Sequence, residues 1–166
     1  MIIEKIYFDM DGVLADFTRG IKELCGLNPI DQSNSSKDDE DALWKAVKET
    51  EHFYDRLEPV LGAMEMFRTL YNKYGDKCEI LSAVPKPKRE IFTAKDDKIN
   101  WVRRYLSDDV VINIVLRADK KNYVKGPGCI LIDDFEKNIK EWEAEGGTGI
   151  LFKSAKETLD ILSSLE

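Results

Sequence analysis

Residues 2–17 read IIEKIYFDMDGVLADF. Residues 2–8 are mostly β-branched, aliphatic and aromatic, which predicts a short strand buried on both faces of a parallel sheet. The run ends at Asp9, and Asp11 follows two positions later, so the two carboxylates point to nearly the same place. At about 4 Å their charges repel by roughly 4 kcal/mol at an effective dielectric near 20. We therefore expect a cation, a shared proton or a chemical role for one carboxylate here.

This Asp-Met-Asp-Gly stretch has two simpler interpretations. A turn with solvated carboxylates fits the four letters alone. A calcium loop does not fit, because an EF-hand needs an oxygen ligand two residues after the second Asp and a glycine beyond it. Val13 and Leu14 occupy those positions. Gly12 allows a sharp turn and a close approach of the backbone to a ligand.

The composition of the chain limits the classes of function. With 166 residues, 43% hydrophobic and 34% charged, it is typical of one globular domain. A net charge of −7 argues against binding a nucleic-acid polymer. No apolar run is long enough for a membrane span or a secretion signal, and reduced thiols fit a cytoplasmic protein. We also expect a monomer or a homodimer. Three cysteines without CxxC spacing and a single histidine make a poor zinc set.

Strands alternate with helices along the rest of the chain. Further strands are predicted at 78–81, 110–115, 129–132 and 150–152. One helix is predicted from a cap at residue 16 or 18 to residue 25, and a second helix, which begins with an acidic first turn, includes residues 43–47. Further helices are predicted at 60–74, from 96 or 97 to 106, at 138–145 and at 155–165. This order predicts an α/β protein with a doubly wound, mostly parallel sheet, whose ligands lie beyond the carboxyl ends of the strands.

One long segment interrupts this alternation. Residues 16–57 contain helices and a polar loop at 28–37 but no strand pattern. We therefore expect a core formed by residues 1–15 and 58–166 and a small helical cap formed by residues 16–57, covering the site.

Polar residues follow three strands that this topology brings together. Asp9 and Asp11 follow the first strand, Ser82 the second, and Asp133 and Asp134 the fourth; a lysine pair, Lys120 and Lys121, precedes the fourth. This ordered set resembles the haloacid dehalogenase (HAD) superfamily of phosphotransferases. The longer stretch 9–17, DMDGVLADF, together with 52–63 and 130–134, resembles its 5′(3′)-deoxyribonucleotidase branch. The resemblance spans almost the whole chain and implies a HAD-like sheet with a cap inserted after the first strand.

The resemblance implies roles for the acidic residues. Asp9 would be the nucleophile, forming an aspartyl-phosphate, and Asp11 the general acid and base. Mg²⁺ would be held by the Asp9 side chain, the backbone carbonyl of Asp11 and an acid after the fourth strand, where Asp134 is favoured and Asp133 kept as a close second. An N-cap for the following helix is the structural alternative for this pair.

Phosphate binding is assigned in the same way to Ser82, Ala83 and Lys120. Lys120 is preferred over Lys121 because Arg117-Ala118-Asp119-Lys120 resembles the family's run, although either lysine could be solvated. Ala83 departs from the family's usual residue and leaves the substrate open. The charge balance agrees: four carboxylates and a phosphate monoester need a divalent cation and a lysine to offset repulsion.

The substrate is predicted from the aromatic residues of the cap. Phe17, Trp44, Phe53 and Tyr54 either pack in the core of the cap or stack against a base. The resulting hypothesis is a Mg²⁺-dependent phosphomonoester hydrolase, a 5′-nucleotidase acting on small (deoxy)nucleoside monophosphates. The alternatives are a phosphatase for a sugar phosphate or another metabolite, and a non-catalytic binder of phosphorylated ligands. The basic loop 86–89 is interpreted as a solvated charged loop, and His52 as structural.

Overall fold

Five parallel strands form the centre of the protein. The computed structural model describes residues 1–29 and 34–166. Its sheet has the order β3-β2-β1-β4-β5 and every pairing is parallel. The strands are β1 (Lys5–Phe8), β2 (Cys78–Ala83), β3 (Val111–Val115), β4 (Cys129–Asp133) and β5 (Thr148–Leu151). The predicted α/β class with a doubly wound sheet is confirmed.

β1 lies in the middle of the sheet because both of its faces are apolar. Ile6 and Phe8 are completely buried in the core on one face, whereas Tyr7 belongs to a second cluster on the other face, with Leu131 and Trp142. This is the alternation that a strand covered on both sides requires. The amide of Asp9 still donates to the carbonyl of Ile132, at 2.9 Å, so Asp9 is fixed at the carboxyl end of the strand.

Six α-helices lie in the described part of the chain: α1 (Phe17–Cys25), α2 (Lys37–Glu49), α3 (Ala63–Tyr74), α4 (Ala94–Tyr105), α5 (Glu136–Ala144) and α6 (Ala155–Leu165). Several ends follow the predicted signals. The Asp16 carboxylate caps α1, and Ser36 and Asp39 form a capping box on α2. The predicted starts of α3 and α4 were wrong by two or three residues, because neither helix has a side-chain cap at its N-terminus. None of the helices in residues 1–29 and 34–166 is long and apolar enough to cross a bilayer.

The segment predicted as a cap leaves the core and returns to it at one place. The amide of Asp16 donates to the carbonyl of Glu58, and the amide of Val60 donates to the carbonyl of Leu14, both at 2.8 Å. Between these points lie α1, α2 and a 3₁₀ turn, Phe53–Arg56. Part of the predicted loop 28–37, residues 30–33, lies outside the described residues. The division into core and cap stays a prediction.

Candidate active site

The carboxyl ends of β2, β1 and β4 meet at one edge of the sheet, where the chain leaves a cavity of about 620 Å³. Its floor contains Asp9, Asp11, Lys120, Asp133 and Asp134. The three strands are neighbours in the sheet, so residues far apart in sequence are brought together at this edge. The structure therefore gathers the acidic residues and the lysine that the sequence singled out.

Lys120 is the buried cation of this floor. It lies in a 3₁₀ segment, Arg117–Tyr123, that precedes β4. Its Nζ donates to Asp9 Oδ1 and to Asp133 Oδ2, each at 2.9 Å. Burial alone lowers the pKa of Lys120, but the charges of Asp9 and Asp133 outweigh this and raise that pKa above its ordinary value. Lys121 is exposed, so Lys120 is the lysine of this pair that lies beside the acidic cluster; its role in phosphate binding stays a prediction.

Asp133 is held by three donors. Its Oδ1 accepts from the amide of Phe135, at 2.9 Å, and its Oδ2 accepts from Lys120 and from Asn138 Nδ2, at 3.0 Å. Asn138 is oriented in turn by Arg117, whose Nη1 donates to Asn138 Oδ1 at 2.9 Å. The helix-capping alternative for Asp133 is thus partly realised, since the carboxylate binds a backbone amide at the start of α5.

Asp134 is exposed and lies directly against Gly12. A Cβ placed on Gly12 would be 2.0 Å from Asp134 Oδ2, so only glycine leaves room for this carboxylate. Gly12 also has a φ of 81°, which side chains rarely adopt. The sequence therefore places a glycine where the carboxylate and the turn both require one.

The acidic cluster fits a divalent cation. Asp9, Asp133 and Asp134 each offer a carboxylate oxygen, and these atoms all lie within 4.8 Å of one another. Oxygen ligands of this type suit Mg²⁺. The carboxylate of Asp11 does not belong to this group; its Oδ2 accepts from Lys98 at 3.0 Å. A metal contact through the backbone carbonyl of Asp11 stays a prediction.

The pKa values of the cluster show the repulsion that such a cation would relieve. Burial raises the pKa of Asp9 well above its ordinary value, and Asp133 adds to this while Lys120 opposes it. Part of Asp134 is exposed, but its carboxylate is crowded by the cavity floor, and this desolvation together with the charges of Asp133 and Asp11 raises the pKa of Asp134 to about 7. Both shifts favour the protonated carboxyl groups, and a bound cation would oppose them.

Lys98 is a site residue that sequence reasoning missed. It is completely buried in α4, and its Nζ donates to Asp11 Oδ2, to Ser82 Oγ at 2.9 Å and to the carbonyl of Ala83 at 2.6 Å. The same Nζ lies 4.6 Å from the centre of the Tyr54 ring. A lysine between Asp97 and Ile99 on an amphipathic helix gives no local signal of burial.

The predicted aromatic residues divide between the cavity and the core. Phe17, Trp44 and Tyr54 line the cavity, and the centres of the Phe17 and Tyr54 rings are 6.3 Å apart. Phe53 differs from its prediction as a pocket residue. It is buried beneath Phe17, with ring centres 5.5 Å apart, and lies against Gly20. In the 3₁₀ turn Phe53–Arg56, consecutive side chains point in different directions, so Tyr54 faces the site and Phe53 faces α1.

Comparison with solved structures identifies the class of protein that has this fold. A HAD family hydrolase from Deinococcus radiodurans R1, solved with bound phosphate and sodium, superposes with a TM-score of 0.58 and 16% identity, covering 89% of this chain and 79% of that one. The chain has the fold of a HAD hydrolase, as the resemblance implied.

Sequence comparisons give the family. The model of the 5′ nucleotidase, deoxy (pyrimidine), cytosolic type C family matches residues 1–159. A protein of Vibrio phage KVP40 assigned to the 5′(3′)-deoxyribonucleotidases is 34% identical over 134 residues, covering 80% of this chain and 67% of the phage protein. The human cytosolic-type 5′(3′)-deoxyribonucleotidase is 26% identical over 164 residues, covering 89% of this chain and 79% of the human protein. The chain belongs to the type C 5′-nucleotidase family.

Proposed function

We propose that this protein is a Mg²⁺-dependent phosphomonoesterase that removes phosphate from (deoxy)nucleoside monophosphates through an aspartyl-phosphate at Asp9. The observation that carries the proposal is the position of Asp9. Its carboxylate binds Lys120, belongs to the acidic cluster and lies at the floor of a cavity that has aromatic side chains in its wall. Nucleophile, cation sites and room for a flat ring are thus found in one cavity.

Asp9, Asp133 and Asp134 would hold the metal ion. When bound, Mg²⁺ would supply positive charge that offsets the repulsion between these carboxylates and the incoming phosphate. Lys120 favours the ionised form of Asp9, because its ammonium group is 2.9 Å from Asp9 Oδ1. An ionised Asp9 can attack the phosphorus atom, and the Asp9–phosphate bond then forms as the bond to the leaving oxygen breaks.

Asp11 is arranged to carry the proton. Lys98 holds Asp11 Oδ2, whereas Asp11 Oδ1 is buried and has no hydrogen-bond partner among the described residues. Oδ1 can therefore give a proton to the leaving alcohol and later take one from the water that hydrolyses the acyl phosphate.

Ser82, which is completely buried next to the cavity-lining Ala83, would bind a phosphoryl oxygen. Its Oγ accepts a hydrogen bond from Lys98, so the hydroxyl proton stays available as a donor. Lys98 also binds Asp11 and the carbonyl of Ala83, and both of these residues line the cavity. Lys98 and Lys120 together would stabilise the charge that develops on the transferring group.

A nucleoside monophosphate is favoured over a sugar phosphate by the wall of the cavity. Phe17, Trp44 and Tyr54 offer ring faces against which a base can stack. The named relatives act on deoxyribonucleotides, which agrees with this substrate class. The unpaired cysteines accord with the predicted cytoplasmic location. That location, and the monomer or homodimer, stay predictions.

The test is the release of inorganic phosphate from dUMP, dTMP and 2-deoxyribose 5-phosphate, with Mg²⁺ and with chelator. We expect Mg²⁺-dependent release from the nucleotides and little from the sugar phosphate. Asp9→Asn should abolish it, whereas Asp108→Asn, an exposed position, should not. Tight nucleotide binding without turnover would instead indicate a non-catalytic binder.

A further inference from the structure

We propose that Arg89 determines specificity by donating a hydrogen bond to a carbonyl oxygen on the substrate's base. The inference rests on the proposed function and names the part of the substrate that this residue reads. Arg89 was interpreted from sequence as part of a solvated basic loop. In the structure it ends the 3₁₀ turn Pro87–Arg89 and lines the cavity, with 15% of its side chain exposed.

The guanidinium group of Arg89 is only partly used by the protein. Its Nη1 donates to Asp41 Oδ1 at 2.6 Å. Its Nε is buried and has no hydrogen-bond partner among residues 1–29 and 34–166. An arginine has five N–H donors and no acceptor, and a buried donor without a partner is destabilising. Arg89 therefore keeps donors beside the cavity that a ligand's acceptor would satisfy.

The ion pair places Arg89 at the aromatic part of the cavity. Asp41 lies on α2, next to Glu40, and Trp44 follows one turn later; Glu40 and Trp44 both line the cavity. A second ion pair, Lys48 Nζ to Glu90 Oε2 at 2.8 Å, also joins α2 to this loop. Two ion pairs therefore hold the loop of Arg89 against α2, the helix that also carries Trp44.

The phosphate end of the cavity has its own cations. Lys120 binds Asp9 and Asp133, and Lys98 binds Asp11 and Ser82. Arg89 makes none of these contacts; its ion pair is with the cap helix. The guanidinium group of Arg89 can only donate hydrogen bonds, so it favours a base whose ring edge carries acceptors. A pyrimidine with a ring carbonyl is such a base.

The experiment compares a substrate with a base to one without. For Arg89→Met we expect the KM for dUMP to rise at least about tenfold, while kcat/KM for 2-deoxyribose 5-phosphate stays within about twofold. Lys88→Met is the matched control, because Lys88 has the same charge, lies exposed in the same turn and does not line the cavity. It should leave both substrates within about twofold of wild type.

Two further variants separate recognition from structure. Asp41→Asn removes the ion pair but keeps the donors of Arg89, and should raise the KM for dUMP by less than about threefold. Arg89→Lys keeps the positive charge next to Asp41 but loses the planar set of donors, so it should raise that KM by more than Asp41→Asn does. It also serves as the test if Arg89→Met does not fold, as judged by circular dichroism.

The inference is overturned if Arg89→Met impairs both substrates equally, or if Asp41→Asn reproduces its effect on dUMP. The first result would place Arg89 at the phosphate, and the second would make it a structural link to α2. An absence of Mg²⁺-dependent phosphate release from every ester by the wild-type protein is a different outcome. That outcome would refute the proposed function. The inference about Arg89 fails by itself when the wild-type protein turns over dUMP but the variants give either of the two results above.

Discussion

Replacing Gly12 with alanine should disable the metal site while leaving the fold largely intact. The new Cβ would lie 2.0 Å from Asp134 Oδ2, and ordinary contact begins at 3.4 Å, so the carboxylate must move by at least about 1.4 Å. Asp134 is an exposed side chain that can rotate away. The cost to the fold is then mainly the φ of 81°, which is worth about 1–2 kcal/mol for an L-residue.

The expected loss of function is much larger than the loss of stability. A misplacement of about 1 Å in an active site can cost roughly 100-fold in rate. We therefore expect Gly12→Ala to lower kcat for dUMP about 100-fold and to raise the Mg²⁺ concentration for half-maximal activity at least about tenfold. Phosphate release across a Mg²⁺ titration measures both, and urea denaturation gives the free energy of unfolding.

Gly26→Ala is the matched control for this variant. Gly26 has a similar φ, 68°, but no neighbouring atom of the described residues lies within 4 Å of the Cβ that alanine would add. The loss of stability in Gly26→Ala should match that in Gly12→Ala to within about 1 kcal/mol. The kcat and the Mg²⁺ dependence of Gly26→Ala should be those of the wild-type protein. Mg²⁺-dependent turnover of Gly12→Ala within about twofold of wild type would refute the placement of Asp134 in the metal site.

Three other predictions follow from the charges. Lys120→Met should lower the free energy of unfolding by about 3–5 kcal/mol, because buried Asp9 and Asp133 lose their cation. The control Lys121→Met changes an exposed lysine and should alter that free energy by less than about 0.5 kcal/mol. Equal losses for the two variants in urea denaturation would contradict the prediction. Mg²⁺ should bind about tenfold more tightly near pH 8 than near pH 6, because the pKa of Asp134 is raised to about 7 and a metal needs the ionised carboxylate. Isothermal titration calorimetry measures this affinity, and an affinity that does not change with pH would be the opposing result. The hydrogen bond between His52 Nδ1 and Asp97 Oδ1 raises the pKa of His52 in the folded protein. The stability that this bond contributes is therefore complete below the pKa of His52 in the unfolded chain, about 6.5, and is lost as pH rises through the pKa of His52 in the folded protein. His52→Asn should therefore destabilise the protein more near pH 6 than near pH 9, and a gap that widens with pH would show the sign to be wrong.

Much of the fold and the floor of the site could be predicted because their signals are local. The apolar run before Asp9 and the run before Asp133 both predict buried strands. Parallel strands bring their carboxyl ends to one edge. Lys120 was distinguished from Lys121 by family resemblance, since both are lysines in the same turn; burial in the structure supplies the physical reason.

The rest of the site depends on contacts that no local pattern encodes. Lys98 contacts Asp11 across 87 positions of sequence and Ser82 across 16. Arg89 reaches Asp41 across 48 positions. Phe53 and Tyr54 are neighbours of similar chemistry, and only the geometry of their 3₁₀ turn decides which of them faces the cavity. Such assignments require the packing of the cap segment against α4 and the loop after β2.

The most direct test of the proposed mechanism is to stop the wild-type protein with acid during turnover of dUMP and to locate phosphate by peptide mass spectrometry. The account predicts one added phosphoryl group on the peptide that contains Asp9, present with Mg²⁺ and absent with chelator. Phosphate found on another residue, or steady turnover with none bound to the protein, would contradict it.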